Sequence, residues 1–377
     1  MIVIFWICLC VILYVYFGYP LILAALQPWA RPTSRDETLL PQVSLVIAAY
    51  NEEKVIRDKL DNSLALDYPE DRREIVVASD GSTDATNTIV KDYAGRGVIL
   101  HEVIPRGGKA RALGLTVPNT HGDILVLSDA NTIYRPDALR KLVRHFADPT
   151  VGAVSGDVRL IDAGESHAES EGLYYRYERW LQTMESRVGS IIGADGAMYA
   201  VRREHFRSPS AGLILDDFVI SMSVARLGYR VLYDPEAVAT EESTQTSQEE
   251  FRRKVRIIAG GMQALQRGEG LPRWQQPLLL FCYVSHKLLR WLVPCFLVFL
   301  FFASICLMNS PVYWFAMYSQ LIFYGVALLY AIGFMGIRRL SGGGIPYYFC
   351  LVNGAALLGL WKGLFGTQSG TWQRTTR

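Results

Sequence analysis

The stretch Asp123-Ile124-Leu125-Val126-Leu127-Ser128-Asp129-Ala130-Asn131 starts polar, runs through four apolar residues and delivers a carboxylate at its far end. A short apolar run bounded by turn-forming residues reads as a buried strand. In an open α/β sheet, ligands bind beyond the carboxyl ends of the strands. Asp129 therefore stands where chemistry is expected.

Working outward, strand and helix patterns alternate from Gln42 to about Thr240. Strands are expected at Val43–Ala48, Glu74–Ala78, Val98–His101, Ile124–Leu127, Gly152–Ser155 and Met198–Val201. Two more short ones are expected at Tyr229–Tyr233 and Ala237–Thr240. Helical spacing covers Glu52–Leu66, Thr83–Tyr93, Lys109–Thr116, Pro136–Phe146 and Glu169–Arg187. Repeated β-α units imply an α/β unit with a mainly parallel sheet covered on both faces.

Charge is placed unevenly. The net charge of the 377 residues is only +2, which gives no reason to expect nucleic acid as a partner. No Asp, Glu, Lys or Arg occurs from Ile2 to Ala30, from Leu292 to Ile337, or from Leu340 to Trp361. About 20 apolar residues cross a bilayer. The first run is too long for a signal-peptide core and lacks a basic leader, so it reads as an uncleaved anchor. Arg31 and Arg35 follow it, which puts the next domain in the cytoplasm of a multi-pass cell-membrane protein. The six cysteines lie in apolar segments without metal or redox spacing.

The expected organisation is an anchor over residues 1–30, an α/β domain over 40–245, and amphipathic interfacial helices over 246–290. Crossings follow at 291–308 and 312–337, then a marginal or re-entrant apolar segment with a basic tail over 345–377. Basic residues flank that last segment on both sides, which argues against a simple crossing.

Chemistry-bearing residues cluster after the strands. Tyr50-Asn51-Glu52 suits recognition of a base and ribose, although a helix cap with an acidic first turn explains it more simply. Capping also accounts for Ser82, Thr83 and Asp84, but less well for Asp80 at the end of its strand. Arg106-Gly107-Gly108-Lys109 opens a helix, where glycines admit a phosphate and Lys109 adds a point charge. A solvated turn serves equally well there. Asp129 supplies a hard oxygen for Mg²⁺ or Mn²⁺ beside substrate phosphates, and Asn131 a neutral oxygen. Asp195-Gly196 forms a turn that an acceptor could approach. Asp216-Asp217 begins a helix, where one acid favours the dipole and the other could take a hydroxyl proton. In Ser247–Gln266, Phe251, Val255, Ile258, Met262 and Leu265 form one apolar stripe opposite a basic face. Arg253 and Arg256 are neighbours on that helix and could clamp a diphosphate. Gly260 and Gly261 should weaken or kink it.

Taken in order, these motifs resemble membrane-bound family 2 glycosyltransferases, a group that includes cellulose, hyaluronan, chitin and poly-N-acetylglucosamine synthases. The resemblance spans about residues 40–260. It implies a GT-A fold, Rossmann-like, with inverting, metal-assisted transfer of sugar from a nucleotide diphosphate, expected to be a UDP-sugar. By position, Ala49, Tyr50, Glu52 and Asp80 would contact the nucleoside and Lys109 the donor. Asp129, with Asn131, would hold the metal as the D-x-D motif. Asp195, Gly196 and Asp216 would form the acceptor site. Asp217 would be the catalytic base, and Arg253 and Arg256 would bind the diphosphate. The chain departs from the family pattern at Asn131, where a second carboxylate is usual, at Ile257, where Trp is usual, and at Gly114, where Asn is usual. The expected activity is addition of sugar to a growing polysaccharide at the membrane, with export or synthase partners possible. Alternatives are single-sugar transfer to a lipid-linked acceptor, a silent scaffold that keeps the fold, and a nucleotidyltransferase.

Overall fold

The computed structural model describes residues 1–161, 168–242, 246–338, 340 and 342–366. Eight strands form one sheet: β1 (Val43–Ala49), β2 (Arg73–Ser79), β3 (Val98–Glu102), β4 (Ile124–Asp129), β5 (Ile133–Tyr134), β6 (Val151–Ile161), β7 (Met198–Arg202) and β8 (Arg230–Glu242). Their order across the sheet is β3-β2-β1-β4-β7-β6-β8-β5. β1, β2, β3 and β4 run parallel, as do β6 and β8. β7 is antiparallel to both β4 and β6, and β5 is antiparallel to β8. The sheet is therefore mixed, with its parallel half carrying the β-α units that were legible in the sequence.

Alternation within the central strands divides the core. Leu45 and Ile47 of β1 and Val126 of β4 face one hydrophobic cluster, whereas Val46, Ala48, Leu125 and Leu127 face the other. All seven are essentially buried, and each large aliphatic side chain so placed contributes about 1.5–3 kcal/mol. Burial on both faces explains the unbroken apolar runs. In register, Ala48 lies opposite Asp129 and Ala49 opposite Ser79. The turns after β1, β2 and β4 consequently converge at one edge.

Some boundaries differ from expectation. The two short strands expected around Tyr229–Thr240 are one strand, β8. Tyr233 pairs with Ser155 and Val238 with Asp157, so Asp234-Pro235-Glu236-Ala237 bulges opposite Gly156 alone. The bulge accommodates a proline that would otherwise interrupt a ladder. Buried Asp234 secures it by accepting hydrogen bonds from Arg144 at 2.8 Å and from His145, whose Nε2 lies 2.7 Å away. The helices expected at Glu52–Leu66 and Thr83–Tyr93 begin later, at Ile56 and Thr86, because their first residues are spent on the site turns.

Gly260 and Gly261 do not interrupt their helix, which runs continuously from Ser247 to Arg267. A Cβ on Gly260 would lie 2.8 Å from Leu215, and one on Gly261 would lie 2.2 Å from Trp291. These glycines are places of close approach. The helix is wedged between the loop before Asp216 and the last apolar helix, Gly344–Leu364, whose Gly359 and Gly363 meet its backbone. Small residues at such crossings let helix backbones approach closely.

Among the described residues, four helices are long and apolar enough to cross a membrane: Ile2–Trp29, Pro277–Cys306, Pro311–Ala331 and Gly344–Leu364. The stretch around Leu278, expected to be interfacial or packed against its neighbour, is continuous with the helix that follows, through a wide turn at Tyr283–Leu288. The last segment, expected to be marginal, is a helix of 21 residues. The basic tail that follows lies outside the described residues, apart from Lys362.

A Cβ on Gly359 would stand 2.9 Å from the Val255 carbonyl oxygen, while one on Gly325 would meet nothing within 4 Å. Gly359→Ala is expected to destabilise by about 1–3 kcal/mol. Gly325→Ala should leave the thermal unfolding midpoint in detergent unchanged.

Candidate active site

Asn51 adopts a left-handed backbone conformation, with φ of 54°. Asparagine tolerates this better than most residues. Its side chain then accepts from the Thr83 N–H at 2.8 Å. The Glu52 N–H donates to Thr86 Oγ1 at 2.8 Å, and the Glu53 N–H to Asp84 at 3.3 Å. The turns after β1 and β2 thus brace each other. Asp84 accepts the Thr86 N–H at 3.0 Å, but no side chain caps the helix that starts at Thr86, so the capping expected of Ser82 and Thr83 is replaced by contacts between the turns. The Tyr50 ring lies beneath the Arg106 guanidinium at 3.6 Å. Ala49 is buried at the end of β1, where its carbonyl accepts the Asp80 N–H. Asp80 is buried, and its two oxygens accept from the Gly107 and Gly108 N–H groups at 2.8 and 2.7 Å. In this conformation Asp80 anchors the glycine loop that the sequence associates with phosphate.

Lys109 is the hub. Its Nζ donates to Asp129 Oδ1 at 2.6 Å and to the Gly196 carbonyl at 3.2 Å, and lies 3.8 Å from Asp216. Residues expected separately as donor contact, metal ligand and acceptor loop therefore meet on one ammonium group. Burial opposes its charge, but Asp129, Asp216 and Asp217 together hold its pKa above the ordinary lysine value.

Asp216 and Asp217 open the helix Asp216–Arg226. Burial raises both carboxyls above the usual aspartate range, and Lys109 pulls both back down. Asp216 is 5% exposed, whereas Asp217 is more accessible and borders the cavity beneath Gly196. A Cβ on Gly196 would come within 2.7 Å of Asp217 Oδ2, so glycine there allows the loop to close over the acid. The neighbouring Asp195 carboxylate accepts the Ala197 N–H at 3.0 Å, and burial raises its pKa.

Asn131 donates through Nδ2 to Glu241 Oε1 at 2.7 Å. Glu241, on β8, thus brings a carboxylate beside the position where the sequence lacks one. Arg253 pairs with Glu250 at 3.3 Å and meets the Tyr175 hydroxyl, while Arg256 has no ion pair among the described residues. Glu52, Lys109, Asp129, Asp195, Asp217, Arg253 and Arg256 all line one cavity of about 1370 Å³. Tyr50 and Asp80 do not line it.

Glu241 and Lys59 went unnoticed in the sequence. Lys59 is fully buried, donates to the Thr132 carbonyl at 2.6 Å, and lies 3.9 Å from the centroid of the Tyr134 ring. Burial pushes its pKa down to about 7, against the field of Asp129. Its position in the spacing Ile56-x-x-Lys59-Leu60-x-x-Ser63, on the buried helix face, was a readable signal.

No group of three or more acid, histidine or cysteine side chains able to hold a metal occurs among the described residues. Asp129 still fits Mg²⁺ or Mn²⁺, because such ions commonly take one or two carboxylates and complete their shell with water and substrate phosphate.

A mixed sheet with acidic turns converging at one edge, facing a cavity beneath an acid-bearing helix, defines a GT-A glycosyltransferase. Residues 41–260 match the model described as glycosyltransferase like family 2, and the chain belongs to that family. It is 29% identical over 238 residues to the probable glycosyltransferase YdaM of Bacillus subtilis (strain 168), covering 59% of this chain and 55% of that one. It is 27% identical over 234 residues to the poly-beta-1,6-N-acetyl-D-glucosamine synthase of Staphylococcus aureus (strain COL), covering 60% and 56%. The chain thus spans little more than half the length of these relatives. Among solved structures, the mannosyltransferase PcManGT of Pyrobaculum calidifontis shares the fold with a TM-score of 0.74 and 23% identity, over 97% of this chain and 100% of that one.

If Asp217 or its partner acid must be ionised for turnover, kcat/KM will fall as pH drops through their raised pKa values in the free enzyme. The acid limb should lie above the ordinary aspartate value of about 3.9. Lys109→Met removes the cation that lowers both pKa values and should move the limb upward by about one pH unit. The check is kcat/KM for the donor against pH.

Proposed function

We propose that this chain is an inverting, metal-assisted glycosyltransferase that moves a sugar from a UDP-sugar to an acceptor hydroxyl at the membrane, with its catalytic domain in the cytoplasm. The single observation that carries the reading is the meeting of Asp129, Gly196 and Asp216 on the Lys109 ammonium, beside Asp217. That arrangement supports a donor diphosphate site beside a base, since catalysis needs the reacting groups held close together.

Asp129 would hold the divalent ion together with the donor's own phosphates. When bound, the ion would neutralise charge building on the diphosphate. Asn131 and Glu241 flank Asp129 and would orient ligands or water there. The nucleoside would lie against Tyr50, with Ala49, Glu52 and Asp80 around it. Lys109 would release Asp129 and turn to the phosphates. Asp217 would take the proton from the acceptor hydroxyl, which attacks the anomeric carbon from the face opposite the leaving group. Asp195 and Gly196 would shape the acceptor's approach. Arg253 and Arg256 would steady the departing diphosphate.

The synthase relative supports a growing polysaccharide as the acceptor, and PcManGT, solved with GDP-Man and Mn²⁺, supports the metal while leaving the donor base to experiment. A second reading, transfer of one sugar to a lipid, is favoured by the way the cavity continues among apolar helices.

Incubating the purified full chain with UDP- and GDP-sugars and measuring nucleoside diphosphate release tests the class. Asp217→Asn should lower transfer by at least about 100-fold, with UDP affinity retained. Loss of both would count against the base assignment. Asp129→Ala should abolish Mn²⁺-dependent tightening of UDP binding in calorimetry. Full activity in chelator would remove the metal from the mechanism.

A further inference from the structure

Lys59 lies on the helix Ile56–Leu64, fully buried among Ile56, Leu60 and Ser63. Its Nζ donates to the Thr132 carbonyl at 2.6 Å and stands 3.9 Å from the centroid of the Tyr134 ring. It forms no ion pair among the described residues, and the acid whose field reaches it is Asp129. Burial pushes its pKa down to about 7, so at neutral pH this amine costs stability. A methionine would fill the same slot without burying a charge.

What the amine holds is the turn after β4. Thr132 follows Asn131 in the chain and is itself buried. Asn62, one turn further along the same helix face, accepts the Tyr134 N–H and donates to the Tyr134 carbonyl, both at 2.8 Å. Two side chains of one helix therefore engage three backbone groups of residues 132–134. On the other side β5 is tied to β8, with Ile133 opposite Thr240 and Tyr134 opposite Ala239. The turn that carries Asp129 and Asn131 is pinned from both sides, and the pin at Thr132 is the one next to them in the chain.

The same side chain reaches the other half of the site through Tyr134. The Tyr134 hydroxyl donates to the Ala197 carbonyl at 3.3 Å, as does the Ser128 hydroxyl. Ala197 follows Gly196, whose carbonyl accepts from Lys109 and which leaves no room for a side chain above Asp217. A cation over an aromatic face attracts it, so Lys59 holds the ring that makes this reach. Lys59 itself does not line the cavity. Whatever it does for the site is done through Thr132 and Tyr134.

We infer that Lys59 is a positioning residue for sugar transfer: it sets the turn that presents Asp129 to the donor and, through the Tyr134 ring, the seat of the Gly196–Ala197 loop over Asp217. The inference rests on the glycosyltransferase reading above and extends it to a residue outside the cavity. An apolar side chain in its place takes this donor from the buried Thr132 carbonyl and loosens the turn where it carries Asp129 and Asn131. Loss of a partner that orients metal-binding side chains typically lowers metal affinity or activity by about 10–100-fold.

The test compares the full chain with its Lys59→Met, Lys59→Gln and Tyr134→Phe variants in detergent. Calorimetry with UDP (or GDP, if that is what the wild type releases) is run in Mn²⁺ and in chelator, beside thermal unfolding and turnover of the donor. Lys59→Met should lose at least about tenfold of the tightening that Mn²⁺ gives to nucleotide binding. Its nucleotide affinity in chelator should be unchanged and its unfolding midpoint no lower than that of the wild type. Lys59→Gln, whose amide N–H falls one bond short of Nζ, should lie between the two. Tyr134→Phe keeps the ring under Lys59, so it should keep the Mn²⁺ effect and lower kcat with little change in donor KM. A lower midpoint together with weaker binding in chelator makes Lys59 part of the scaffold only and overturns the inference, as does a Mn²⁺ effect equal to that of the wild type. If Lys59→Met does not fold, Lys59→Gln decides: a loss confined to the Mn²⁺ effect supports the inference, and wild-type behaviour overturns it. Absence of nucleoside diphosphate release from every donor by the wild type overturns the glycosyltransferase reading and this inference with it.

Discussion

One ammonium group gathers the site. Lys109 reaches Asp129 at the end of β4, the Gly196 carbonyl before β7, and Asp216 at the head of a helix. Those three points belong to chain segments far apart in sequence, and the carboxylates among them would repel one another without a cation between them. Removing a buried partner from such a group leaves an uncompensated charge, which is costly. The same ammonium is the natural counter-charge for a diphosphate, so the arrangement stores a binding site in self-paired form. Asp80, which holds the loop immediately before Lys109 by two backbone hydrogen bonds, sets where that ammonium can reach.

Much of this was legible in the sequence because it is local. The central parallel strands β1 and β4 are almost entirely apolar and buried, and the ordered turn motifs at the strand ends give the family and the fold. Lys109–Thr116 has the bounds that its spacing implies. What was not legible depends on pairing at a distance. β8 reads as two strands because Pro235 interrupts the pattern, yet the bulge opposite Gly156 restores the ladder. β5 is too short to carry a period. Glu241 carries no local mark of function, and only its register at the end of β8 brings it to Asn131. Lys59 could have been noticed as a charge on an apolar helix face. The antiparallel insertion of β7, which makes the sheet mixed, has no signature in a strand-by-strand reading.

Gly260 and Gly261 show how a propensity argument fails for a sound reason. Glycine weakens an isolated helix, but packing outweighs that cost where two neighbours must come close. Here the neighbours are Ile214 and Leu215, which precede the acid pair, and Trp291, on an apolar helix. The helix that carries Arg253 and Arg256 is fixed between the loop that precedes Asp216 and the membrane-type segments.

Glu185 ties the two parts from a different side. It accepts a hydrogen bond from the Tyr19 hydroxyl of the first apolar helix and meets His286 of the second, both within 2.6 Å. The long helix Ala168–Val188 that bears it also supplies Ser186, whose hydroxyl accepts the β8 backbone N–H at Tyr233. The sheet therefore has a short mechanical linkage to these two apolar helices, and a tilt of one helix against the other would strain the clasp and reach β8 through Ser186.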